Sequence, residues 1–151
     1  MLTMRRLPSI ALATLLSIGS ALSALALDFR SVSEAATLFD APSAKSKPMF
    51  VIMGGTPVEL VLAVEGWAKV REPKGGLFWI DKKLLSERRT AIVRVDRATV
   101  RAAADEKAAV LFEAERDVLL ELLEVLPGAW AKVRHRDGQS GYVKVMQIWG
   151  A

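Results

Sequence analysis

The chain has 151 residues, 52% hydrophobic and 25% charged. This ordinary globular balance excludes a disordered protein and leaves room for one mid-sized domain or two small ones. With no cysteine and one histidine, it excludes a disulfide framework, a thiolate or multi-histidine metal centre, a cysteine nucleophile and a lipid-modified N-terminal cysteine.

The first element is a targeting signal. Arg5 and Arg6 precede the 21 uncharged residues Leu7–Leu27, which close on Ala24-Leu25-Ala26, the small-residue exit that a signal peptidase accepts. An uncleaved anchor is the rival reading, because 21 uncharged residues just span a bilayer. Ser9, Thr14, Ser17, Gly19, Ser20 and Ser23 dilute the stretch, so we expect a signal peptide over 1–26, cleaved after Ala26, and a periplasmic or secreted chain with no stable membrane insertion. Cleavage removes two of the 21 basic residues and no acid, leaving 19 against 17 and a net charge of +2. That balance sustains no polyanion-binding role, and we expect no nucleic-acid partner. Lys82-Lys83, Arg88-Arg89 and Arg134-His135-Arg136 read as solvated turns.

The next elements are strands. Val58, Leu60, Leu62 and Val64 alternate with Glu59, Val61 and Ala63, which predicts one continuous apolar face. Glu65-Gly66 is a tight turn, Trp67–Arg71 alternates again, Pro73-Lys74-Gly75-Gly76 is turn chemistry, and Leu77–Ile80 returns. Gly54-Gly55 precedes Pro57 and a strand, so it is a turn and not a phosphate cradle. The second half is ambiguous when taken alone. Ala102–Leu126 is rich in Ala, Glu and Leu and by propensity would pass for a long helix.

An internal repeat resolves the ambiguity. Residues 36–66 align with 98–128; after one extra residue, Ala129, residues 67–80 continue onto 130–143, with 14 identities in 45 positions. WAKVR occurs at 67–71 and again at 130–134. The partner of the apparent helix carries Pro42, Pro48, Gly54-Gly55 and Pro57, which no helix interior accepts. Both copies are therefore strands, the second reading Leu119–Val125, a Pro127-Gly128 turn, Trp130–Arg134, an Asp137-Gly138 hairpin and Gly141–Val145. About five short strands in 60 residues make a small barrel. We expect units over 27–88 and 89–151, joined around Leu85–Ala91, a link short enough and poor enough in glycine and proline for a rigid orientation.

The run Gly66-Trp67-Ala68-Lys69-Val70-Arg71, then Gly75, then Trp79-Ile80 resembles the bacterial SH3-like domain (SH3b). So does Trp130-Ala131-Lys132-Val133-Arg134, then Gly138, then Gly141-Tyr142-Val143. The resemblance covers nearly all of residues 30–149 and implies an all-β fold of two tandem SH3-like barrels. It departs from the family at Phe78, where a glycine is usual, and in lacking an N-V-R-S-G-P run before each core strand. The resemblance implies a non-enzymatic protein that binds a cell-wall peptide or an envelope protein; a structural module without a ligand of its own is the alternative.

Trp67 and Trp130 begin equivalent strands, either as aromatic platforms in a shallow groove or as caps on the ends of their barrels. With Trp79 and Tyr142, which should pack against the core on one side, they are the candidate ligand-binding residues. Phe50, Phe112, Leu60 and Leu122 are expected core. Glu59 and Glu121 should pair with Lys69 and Lys132 across their hairpins, and Trp149 should tie down the tail. His135, the counterpart of Glu72, reads as an exposed hairpin residue. No catalytic, cofactor or metal motif appears, and we expect no enzyme and no cofactor.

Overall fold

The computed structural model describes residues 26–151; the expected signal peptide, residues 1–26, lies outside them apart from Ala26. The first half forms β1 (Phe29–Val32), β2 (Ala36–Phe39), β3 (Pro48–Ile52), β4 (Pro57–Val64), β5 (Trp67–Arg71) and β6 (Leu77–Asp81). A single 3-10 turn (Lys82–Leu84) then leads into β7 (Leu85–Ser86). The second half gives β8 (Thr90–Val93), β9 (Arg97–Arg101), β10 (Val110–Glu115), β11 (Leu119–Leu126), β12 (Trp130–Arg134) and β13 (Ser140–Lys144). It closes on a 3-10 turn (Val145–Gln147) and β14 (Ile148–Trp149). The segment that would pass for a helix is β10 and β11.

Both sheets have seven strands, two more than the expected five or so. Their orders are β3-β2-β6-β5-β4-β1-β7 and β10-β9-β13-β12-β11-β8-β14, the same order written twice. The ladders reproduce the repeat offset: Ala36 faces Ile52 and Ala98 faces Ala114, while Glu59 faces Arg71 and Glu121 faces Arg134. The extra residue lies where the alignment puts it. Gly66 turns the first hairpin at φ +75°, and Gly128 and Ala129 turn the second at +84° and +65°. Each sheet curls around its own core, one built on Leu38, Val58, Val70 and Ile80, the other on Val100, Leu120, Val133 and Val143.

The predicted apolar face fails at a β-bulge. The β4–β5 register shifts between Leu60 and Leu62, and the β11–β12 register between Leu122 and Glu124. An extra residue reverses which face every later side chain takes. Leu60 points to the core, but Leu62 and Val64 point out, 50% and 39% exposed. The apolar face predicted for Val58–Val64 is thus broken in the middle. The glutamates miss the lysines for another reason, the position of each hairpin turn: counted back from it, Lys69 faces Leu62 and Lys132 faces Glu124, while Glu59 pairs with Arg71 at 3.0 Å and Glu121 with Arg134 at 2.7 Å.

The Arg134 guanidinium donates hydrogen bonds of 2.7 and 3.0 Å to Glu121 Oε2 and holds that carboxyl below its ordinary value. A group whose folded pKa is depressed stabilises fully above its unfolded value and loses that contribution as pH falls through the folded one. Glu121→Gln should therefore lower Tm slightly at neutral pH, with the difference from wild type vanishing in acid. Melting curves from pH 7 to pH 2 check this, and a difference that grows in acid would reverse the assignment.

The two halves touch along a seam. Thr90 Oγ1 donates to Gly55 O at 2.7 Å across it, and Ser31 Oγ holds the connecting link by donating to Arg88 O at 2.6 Å. Trp149 ties the tail down through the pairing of β14 with β8, and its ring meets Phe29 of the first half edge-on at 5.1 Å. The Arg89 guanidinium lies 5.7 Å from the Phe29 ring centre and donates to Gly150 O at 2.8 Å.

Candidate functional site

Alternation along β5 and β12 sends Ala68, Val70, Ala131 and Val133 wholly inside. Trp67, Lys69, Trp130 and Lys132 take the outer face, half-buried. The ladder carries that face onto the return strands, where Lys69 faces Trp79 and Lys132 faces Tyr142. The structure thus brings Trp67 together with Trp79 on one face and Trp130 with Tyr142 on the other. Lys69 Nζ and Lys132 Nζ each stand 5.9 Å from the ring centre opposite, the same cation–π geometry in both copies.

The surroundings of these faces differ. In the first copy Phe39 sits opposite Trp79 and meets Trp67 edge-on at 5.6 Å. In the second, Arg101 takes the place of Phe39, Lys144 Nζ lies 6.0 Å from the Trp130 ring, and Glu106 pairs with Lys144. One face is a three-ring aromatic patch; the other is aromatic and cationic. Trp79 and Tyr142 do not pack against the core as expected. Ile80 and Val143, one residue further on, hold the inward positions, and a strand cannot send neighbouring side chains to the same face.

A concavity lies between the halves, a groove of about 1650 Å³ bordered by residues 50–54, 72–75 and Phe78 on one side and 92–94, 116–119, His135, Arg136 and Trp149 on the other. Sequence reasoning missed this site, although the anomaly at Phe78 signalled part of it. Phe50, expected in the core, is 40% exposed and stands edge-on to Phe78 at 4.9 Å. Its counterpart Phe112 packs against the core of the second half, where Gly141 replaces Phe78. The Phe78 ring fills the inward space in the first half and leaves Phe50 at the groove.

Glu72 and His135 occupy equivalent turns with different chemistry. The buried Glu72 carboxylate accepts from the backbone N–H of Lys74 at 2.8 Å and of Gly76 at 2.7 Å, so it organises its own hairpin. His135 is half-buried, not exposed: Nδ1 lies 3.1 Å from Asp137 Oδ2 and its ring is 6.1 Å from that of Phe112. Asp137 is held below its ordinary pKa, chiefly by the Gln139 backbone N–H and then by the Gln139 side chain. Among the described residues no three of His, Asp and Glu gather as a metal site.

The bacterial SH3 domain matches this chain twice, over residues 32–87 and 94–150. The chain belongs to the bacterial SH3 domain family. Its halves are two tandem SH3-like modules, and the twin outer faces and the groove are features of that pair. No curated protein matches the chain. Among solved structures, it is similar to NlpC2 from Trichomonas vaginalis at 12% identity and a TM-score of 0.39, covering 82% of this chain and 48% of the other. It is similar to an NlpC/P60 family protein from Bacillus cereus ATCC 10987 at 18% identity and a TM-score of 0.38, covering 80% and 55%. For NlpC1 from Trichomonas vaginalis the identity is 14% and the TM-score 0.39, covering 89% and 50%. The chain spans about half the length of each of these structures.

Proposed function

We propose that this is an exported, non-enzymatic tandem SH3 protein that binds a cell-wall peptide or an envelope protein through its twin outer faces. One observation carries the reading: the same lysine stands over the same strand's aromatic residue, at the same distance, in both modules. Packing of each barrel core uses the opposite face of these strands, so folding does not require the arrangement. Two weak sites held at fixed spacing gain effective concentration, which raises avidity by about 10²–10⁴ over one site. Export rests on the signal-like residues 1–26.

The test is co-sedimentation of the purified protein with peptidoglycan sacculi and with envelope extract. Trp67→Ala and Trp130→Ala should each weaken retention at least tenfold. Each should cost only about 1–2 kcal/mol of stability, since the rings lie outside the cores. A wild-type protein that sediments with neither material would end the reading.

The seam favours a second reading, a rigid structural module with no ligand of its own, because Phe29 with Trp149 and Gly55 with Thr90 join the barrels directly. Loss of thermal stability in the tryptophan variants with no change in retention would support that alternative.

A further inference from the structure

We propose that the groove between the modules is a further binding site, one that neither module possesses alone, for an extended peptide carrying carboxylates and added as a strand to β3. Phe50, Val51 and Ile52 of β3 all border the groove, as does Met53 just beyond the strand. Alternate residues of a strand point to opposite faces, so three in a row border one cavity only if it runs along the strand's edge. Among the described residues that edge is open: β3 ends the sheet and pairs with β2 alone. Its outer row of N–H and C=O groups is a template for a further strand.

The side chains fit such a guest. Phe50, Val51 and Met53 are 40%, 65% and 73% exposed along the edge, giving apolar contacts to alternate residues of an added strand. Lys74, Arg94 and Arg136 stand on the rim, and among the described residues none of them has a carboxylate partner within ion-pair distance. Glu72 commits both its oxygens to its own turn, and Arg116 is held by Asp96 at 2.8 Å. Asp117 is the other acid of the groove, so uncommitted cations exceed acids. Charge complementarity selects an acidic strand over a neutral or basic one.

The probe is an acetylated nonapeptide of six alternating valines and threonines closed by three glutamates, titrated into the purified full chain and followed calorimetrically. Replacing the glutamates by lysines should weaken binding at least tenfold. Of two isomers N-methylated at alternate backbone nitrogens, one should lose binding and the other keep it, because only one edge of the guest meets β3. Phe50→Ala and Arg94→Glu, the latter at an exposed position, should each weaken the acidic peptide at least fivefold.

Equal binding of both N-methyl isomers, or of the lysine peptide, overturns the proposal. So does self-association through β3 that the peptide does not displace. The titration repeated on the Trp67→Ala/Trp130→Ala variant separates this site from the outer faces. Affinity within twofold of wild type supports the groove, and loss of binding there transfers the peptide to the outer faces and overturns the proposal. Peptidoglycan retention tests the outer-face reading independently of either result.

Discussion

Gly141→Val is expected to destabilise the protein by about 3 kcal/mol and to lower its Tm by roughly 10 °C. A Cβ at this position would lie 2.7 Å from Arg101 O and 2.7 Å from Val100 Cγ1, with Leu111 Cδ1 at 3.2 Å. The first of these is backbone and has no rotamer to escape into. β13 meets β9 at this point through the pairing of Tyr142 with Arg101, so any side chain pushes the two strands apart. The first module solves the same position differently. There Phe78 fills the space with its own ring, and Phe50 is left at the groove. Calorimetry of the variant decides the matter; a Tm within about 2 °C of wild type would mean that β13 and β9 are not held as described.

Gly150→Ala is expected to cost about 2–3 kcal/mol and to uncouple the modules. Gly150 has φ +113°, a conformation that L side chains rarely adopt. Its Cβ would fall 2.6 Å from Thr90 O and 2.9 Å from Pro57 Cβ, which belongs to the first module. The substitution therefore strains the tail and wedges the seam at once. Trp149, one residue earlier, should lift from Phe29 and shift its emission to longer wavelength. The wild type should melt as one cooperative unit and the variant in two steps. An unchanged single transition with unchanged emission would show that the seam does not couple the modules.

Much of the architecture was legible in the residues themselves. The repeat carried the strongest information, since a segment with ambiguous propensity, Ala102–Leu126, had a partner in which Pro42, Pro48 and Pro57 forbid a helix. Even the single extra residue at Ala129 reappears as a longer turn between β11 and β12. The outer-face residues Trp67, Trp79, Trp130 and Tyr142 were legible as matched aromatics on paired strands. Their facing was not, and neither were their lysine neighbours, because both depend on which residue stands across the ladder.

The β-bulges show why. Val58–Val64 alternates without interruption, and nothing local marks Val61 as the residue the partner strand passes over. A bulge is a property of two strands, so one strand's pattern cannot contain it. The outward Leu62 and Val64 follow from that omission, and the misassigned glutamate pairs from where each hairpin turns. Phe50 was misplaced for a related reason: its counterpart Phe112 does pack against the core, and only the ring of Phe78, far along the chain, makes the two positions different.

The chain's own pattern determined that this is a β-rich unit written twice, where its turns fall and which residues alternate, because periodicity and turn chemistry act over a few neighbouring residues. The tertiary structure alone decided the register, the facing of the aromatic residues, the seam at Gly150 and the groove along β3. Those depend on contacts between residues tens of positions apart, whose distances are set by how the two folded barrels meet.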